Sequence, residues 1–124
     1  EGRIIWYAAD QDYGRRRSVF APFFGIPTAS ITATAKLAAF NGSPVMFGSN
    51  FRDLETLTWH AYANEPMHGF PSGDDVADAT VVNQAIEEAI LWHPEQYLWM
   101  HRRFKTRPEG ESSFYRKPIS AGIR

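Results

Sequence analysis

Apolar positions along the chain fall into short blocks separated by polar breaks rich in Gly, Pro and Asp. Ile4-Ile5-Trp6-Tyr7-Ala8-Ala9 is nearly continuous and rich in β-branched and aromatic residues. That pattern predicts a strand buried on both faces, as in a parallel sheet. A polar turn starts at Asp10, passes Gly14 and meets Arg15-Arg16-Arg17. Val19 to Phe24 is apolar again but holds Pro22, which predicts a short edge piece or extended loop rather than a central strand. Gly25 to Ser30 reads as a loop entering a helix, with Thr28 or Ser30 as its cap. Ile31, Ala35, Ala38 and Ala39 share one face of that helix, and Asn41-Gly42 stops it just past Phe40.

Pro44 to Ser49 and Thr58 to Ala63 predict two further strands. Gly69 to Asp75 has the composition of a loop. Asp75 or Asp78 then caps the clearest helix, in which Val82, Ile86, Ala89 and Ile90 recur at helical spacing until His93-Pro94. Pro94 to Glu111 reads as helix-like, docking through Tyr97, Leu98, Met100 and Phe104 and then presenting cations. Residues 108–124 are expected to form a loosely held tail. This order of elements predicts an α/β fold, part of a mixed sheet flanked by helices, with residues 1–107 belonging to a single domain.

Composition adds limits rather than a function. The 124 residues suit one domain or a piece of one, and the absence of cysteine excludes disulfides and thiolate chemistry. No stretch approaches the roughly 20 apolar residues of a membrane span. The chain opens on Glu1 and enters directly on a strand-like run, so an N-terminal portion is expected to be missing. The net charge of −1 conceals segregation: six Lys and Arg against three acids in 1–52, none against nine in 53–100, and seven against two in 101–124. Blocks of one sign favour oriented docking over general polyanion binding, although an acidic block also serves as a solvated face.

Two segments carry candidate chemistry. Asp10-Gln11-Asp12-Tyr13-Gly14 follows the first strand candidate, where open α/β sheets bind ligands. Carboxylates spaced in this way can orient a histidine or hold a hydroxyl, but the residues alone favour a polar turn bonded to its own backbone. The cationic run Arg102, Arg103, Lys105 and Arg107 admits three readings: solvated charge, a grip on phosphate or an acidic protein, or single-stranded nucleic acid held with Phe104 and Tyr115. The brevity of the run and the acidic middle block disfavour nucleic acid. Arg52 can bind phosphate or pair with Asp53 or Glu55. Phe20, Phe23 and Phe24 suit an acyl-chain groove or a core. His60 and Glu65 have His-x4-Glu spacing, but on a strand they point to opposite faces. His68, His93 and His101 show no metal-ligand pattern.

Trp6-Tyr7-Ala8-Ala9-Asp10-Gln11-Asp12-Tyr13-Gly14, Ser18 to Gly25, and Pro94 to Glu111 together resemble, in order and spacing, the late acyltransferases of lipid A biosynthesis, the lauroyl/myristoyl/palmitoleoyl transferase family. The chain departs from the family pattern at Ala9, at the three arginines after Gly14 and in the 53–65 segment. The resemblance implies a glycerolipid-acyltransferase-like fold. It also implies transfer of a fatty acyl chain from acyl–acyl carrier protein to a hydroxyl of a lipid A precursor, without cofactor or metal. The family's catalytic His-x4-Asp/Glu motif is expected upstream of this chain, so the isolated fragment is expected to be inactive. Asp10 and Asp12 are then supporting site candidates. Asp10, Gln11, Asp12, Tyr13, Gly14, Arg52, Arg102, Arg103 and Lys105 are expected to contact substrate. The implied location is the cytoplasmic face of a Gram-negative inner membrane, against its anionic surface. A phosphate- or nucleic-acid-binding module using the Arg-rich segment is the alternative.

Overall fold

The computed structural model describes residues 2–115. Two antiparallel hairpins and two helices make up a small α/β arrangement. The first hairpin pairs β1 (Ser18–Phe23) with β2 (Ile26–Ile31), from Ser18 opposite Ile31 to Phe23 opposite Ile26. Its two-residue turn, Phe24-Gly25, has φ of 49° and 73°, both positive as a type I′ hairpin turn requires. Gly25 takes this conformation freely, whereas a left-handed Phe24 costs about 1–2 kcal/mol. Two contacts hold Phe24 there: its N–H donates to Glu87 Oε1 at 2.8 Å, and its ring meets Phe23 edge-on at 4.9 Å.

The predicted loop over Gly25 to Ser30 is therefore strand β2. Pro22 and Pro27 sit opposite each other in a two-stranded sheet, where both strands are edges and tolerate a missing donor. The first helix, α1 (Ala33–Asn41), consequently starts later than expected, after Thr32. It buries Ala35 and Ala38 and ends at Gly42 in the left-handed conformation, as the Asn-Gly signal predicted.

The second hairpin pairs β3 (Gly48–Arg52) with β4 (Trp59–Ala63). The strand expected at Pro44–Ser49 is shifted toward the C-terminus. Backbone bonds from Asn64 N–H to Phe47 O and from Met67 N–H to Val45 O continue the contact beyond it. All of β4 is exposed, so burial does not hold this hairpin in place. Phe51 instead stacks on His93 at 3.9 Å, Tyr62 meets Trp92 at 5.2 Å, and the Gln96 amide bonds both the N–H and the carbonyl of Arg52 at 2.8 Å.

Helix α2 (Asp75–Trp92) organises the core. Its cap is Asp74, one residue before the expected position, whose carboxylate accepts from the N–H groups of Val76 and Ala77. Ala79, Val82, Asn83, Ile86 and Ile90 face inward, and Phe23 packs with Val82, Ile86 and Ile90. Buried Asp78 accepts from the Ser72 N–H and hydroxyl, both at 2.7 Å, which fixes the loop entering the helix.

Two further expectations fail. Ile4–Ala9 forms no strand, and Ile4, Ile5 and Trp6 are exposed; a strand needs a hydrogen-bonding neighbour, and none of the described residues supplies one. Pro94–Glu111 is not a long helix but two 3-10 turns, Pro94–Gln96 and Trp99–His101, followed by irregular chain. Only Tyr97 and Phe104 of its expected docking residues reach the core; Leu98 and Met100 are exposed. No helix among the described residues is long and apolar enough to cross a membrane. In the tail, Tyr115 OH accepts from the Phe104 N–H at 3.2 Å; residues 116–124 lie outside the described residues.

Phe23→Ala should lower stability by about 3–5 kcal/mol, since the ring is wholly enclosed. Phe40→Ala, on the exposed end of α1, should change it by less than about 0.5 kcal/mol. Urea unfolding of both variants tests whether the core lies where the hairpin meets α2.

Candidate functional site

The Asp10–Gly14 turn and the Arg102–Arg107 segment, remote in sequence, form one cluster. Asp12 is 6% exposed and bridges them: one carboxylate oxygen accepts from the Gly14 N–H and the other from the Thr106 N–H, each at 2.8 Å. A charged acceptor with two backbone donors makes strong hydrogen bonds. Beside this bridge, Arg15 Nη2 donates to the Arg107 carbonyl at 2.6 Å. The Tyr97 hydroxyl reaches the Asp10 carbonyl at 3.5 Å. Gly14, at φ 79° and ψ 174°, occupies a backbone region that is essentially reserved for glycine. A side chain there would strain the turn.

Arg103 is 1% exposed. Its guanidinium donates to the Ala29 carbonyl at 2.7 Å, Ser30 Oγ at 3.0 Å and Asn83 Oδ1 at 3.2 Å, and lies 4.9 Å from the Phe23 ring centre. Burial lowers its pKa from the usual arginine value, opposed by Tyr97, Asp12 and Asp10. Arg107 is also buried; it donates to the Pro27 carbonyl at 2.7 Å, pairs with Glu111 and sits over Phe114. Ala29 and Pro27 are two residues apart on β2, so their carbonyls point the same way. The two arginines thus take successive acceptors along one strand. Their Nε atoms are buried without a hydrogen-bond partner among the described residues.

The remaining sequence candidates divide around this cluster. Half-buried Asp10 has a carboxylate with no hydrogen bond among the described residues, and the Gln11 side chain has none either. Tyr13 is exposed and, with Gly14 and Arg15–Arg17, lines an open concavity of about 610 Å³. Lys105 is exposed, and Arg102 is exposed over the Tyr115 ring. Of the four-cation run, therefore, only these two present their charges to solvent. Arg52 sits on the separate β3–β4 hairpin, with no ion pair to Asp53 or Glu55 among the described residues. Asp53 instead accepts from the Thr56 and Glu55 N–H groups, bonds that lower its pKa. Phe23 belongs to the core rather than to a groove. His60 stacks on Phe51 and bonds Thr58, and no bond links it to Glu65.

Two cluster residues, Asn83 and Thr106, escaped the sequence reading, and Ser30, expected as a helix cap, lies instead on β2. Asn83 had a visible signal, an amide adjoining Val82 on the apolar face of α2, where a polar group requires partners. Its Nδ2 donates to the Pro22 carbonyl and to Ser30 Oγ. Thr106 gave no signal, because it contributes through its backbone.

A family model described as bacterial lipid A biosynthesis acyltransferase matches residues 1–106. The chain is 41% identical over 116 residues to the lipid A biosynthesis palmitoleoyltransferase of Escherichia coli (strain K12), covering 93% of this chain and 38% of that protein. It is 39% identical to the lauroyltransferase of the same organism, with the same coverage of each chain. A Haemophilus influenzae lipid A biosynthesis acyltransferase is 36% identical over 85% of this chain and 34% of its own length. The chain thus spans little more than a third of the length of these relatives.

Asp12→Ala should cost about 1–3 kcal/mol, because two backbone donors lose their acceptor; urea unfolding measures it. Tyr97 supplies a pH dependence. Burial, reinforced by Asp10, raises its pKa from 10 to about 12. Between those values the folded state retains a proton that the unfolded state releases, so stability should fall as pH rises from 10 to about 12. Tyr97→Phe should flatten that part of a melting-temperature profile, and an unchanged slope would remove Tyr97 as its source.

Proposed function

The chain belongs to the bacterial lipid A biosynthesis acyltransferase family, and from that membership we propose that it forms the C-terminal part of an enzyme transferring a fatty acyl chain from acyl carrier protein to a hydroxyl of a lipid A precursor. The observation that carries this reading is the Asp12 bridge, which joins the Asp10–Gly14 turn and the Arg102–Arg107 segment into one cluster. The Asp10 carboxylate, free of protein hydrogen bonds among the described residues, is the group available to orient the acceptor.

In the reaction the general base is the histidine of a His-x4-Asp/Glu pair in the remainder of the enzyme. It takes the acceptor hydroxyl proton as the oxygen attacks the thioester carbonyl, and the carrier thiol departs with a proton. This chain's part is to position the acceptor with Asp10, Gln11 and Tyr13 on the turn that Asp12 and Gly14 shape. Arg52, Arg102 and Lys105 meet the phosphates of the precursor and the anionic surface of the inner membrane, on its cytoplasmic face. Arg103 acts indirectly, by holding the segment that carries Arg102 and Lys105. The nucleic-acid reading loses ground, because Arg103 and Arg107 point inward.

In an enzyme of the relatives' full length carrying this segment, Asp10→Asn should lower transfer from acyl–acyl carrier protein about tenfold to a hundredfold, the loss expected for one charged hydrogen bond. Its melting temperature should fall less than that of Asp12→Ala, because Asp10 acts on Arg103 through its field and not through a hydrogen bond. Wild-type turnover in that variant would reduce Asp10 to a turn residue.

A further inference from the structure

Arg15, Arg16 and Arg17 occupy a single 3-10 turn with all three side chains exposed. Adjacent guanidinium groups repel one another, and none of the three forms an ion pair among the described residues. The ion pairs among the described residues are Lys36–Asp75, His93–Glu95 and Arg107–Glu111. Asp12, nearby in sequence, is buried and commits both oxygens to backbone N–H groups. The turn is also held in place. The Asp12 bridge fixes its leading edge at Gly14, and Arg15 is tied to the Arg107 carbonyl and lies 5.7 Å from the Phe20 ring centre. Fixed, unpaired positive charge around a concavity is the arrangement expected of an anion receptor.

We propose that the Tyr13–Arg17 concavity is a docking site for phosphate-ester groups, gripped by Arg16 and Arg17 with Arg15 as the post that fixes the turn. The planar guanidinium fork matches two phosphate oxygens at once, which a point charge does not. The concavity, about 610 Å³ and open to solvent, has room for a phosphate-ester group. The family reading bears on the source of the phosphate, a lipid headgroup; the chemistry of the site stands apart from it.

The test uses vesicles of phosphatidylcholine, alone, with phosphatidic acid, or with oleate matched in surface charge, at about 0.1 M salt, where exposed charges beyond roughly 10 Å are screened. The protein should bind the phosphatidic acid vesicles and bind the other two weakly. Arg16→Gln with Arg17→Gln should lower that binding roughly thirtyfold, from the ordinary contribution of two cations near an anionic surface. Lys at both positions should restore part of it, because charge returns without the fork. Equal binding of the double Gln variant and the wild type, or equal binding to oleate and phosphatidic acid, would overturn the proposal. Both side chains are exposed, and circular dichroism confirms that the variants fold. Competition by millimolar inorganic phosphate identifies a site that takes the free anion; its absence, with Arg-dependent binding retained, identifies the headgroup. Binding is read without catalysis, so its loss leaves the acyltransferase reading intact. Phosphate-selective binding in an enzyme that transfers no acyl chain would retain the site and discard that reading.

Discussion

A guanidinium in a protein interior forfeits its hydration and must find acceptors, and the packing around Arg103 is the solution to that requirement. No carboxylate bonds it among the described residues. The acceptors are a carbonyl and a hydroxyl on β2 and an amide on α2, while the aromatic face comes from β1. Hairpin, helix and C-terminal segment cannot separate without stranding the charge. Asp10 and Asp12 oppose the burial penalty through their fields, so the acidic turn and the buried cation depend on each other.

The same requirement explains why the C-terminal segment is not a helix. A helix would commit the N–H groups of Phe104 and Thr106 to carbonyls four residues back. Here they go to the Tyr115 hydroxyl and the Asp12 carboxylate. Arg102 adopts φ 51°, which helical geometry forbids. Helical spacing still describes one relation: Arg103 and Arg107, four apart, reach alternate carbonyls on β2. The segment sorts its cations by depth, with two spent on internal cohesion and two left at the surface.

Legibility in the sequence followed the range of the forces involved. Helix α2 was readable because its apolar spacing and acidic start are local, and α1 stopped at Asn41-Gly42 for the same reason. Strand β2 was hidden by Pro27 and by a turn that places Phe, rather than Asn or Asp, at a left-handed position. Tertiary contacts from Glu87, Phe23 and the core make that turn tenable. Ile4–Ala9 shows the converse: apolar content marks a segment suited to a sheet, but pairing depends on a neighbouring strand. In the site, the two candidate segments were visible by residue type, while the bridge between them runs through a backbone N–H that no side chain announces.

The sequence by itself determined the family, the segregation of charge and the two segments around which the site forms, because residue identity and spacing carry that information directly. It did not reveal which cations face outward. That depended on tertiary structure: the carbonyls of Ala29 and Pro27, which lie more than seventy residues from Arg103 and Arg107, draw both guanidinium groups inside. The same packing gave Asp12 its bridging role, through donors on two separate stretches of chain. A carboxylate or guanidinium has the same chemistry in any sequence, but whether it meets a ligand or the protein itself is settled by which unsatisfied backbone groups folding brings within reach.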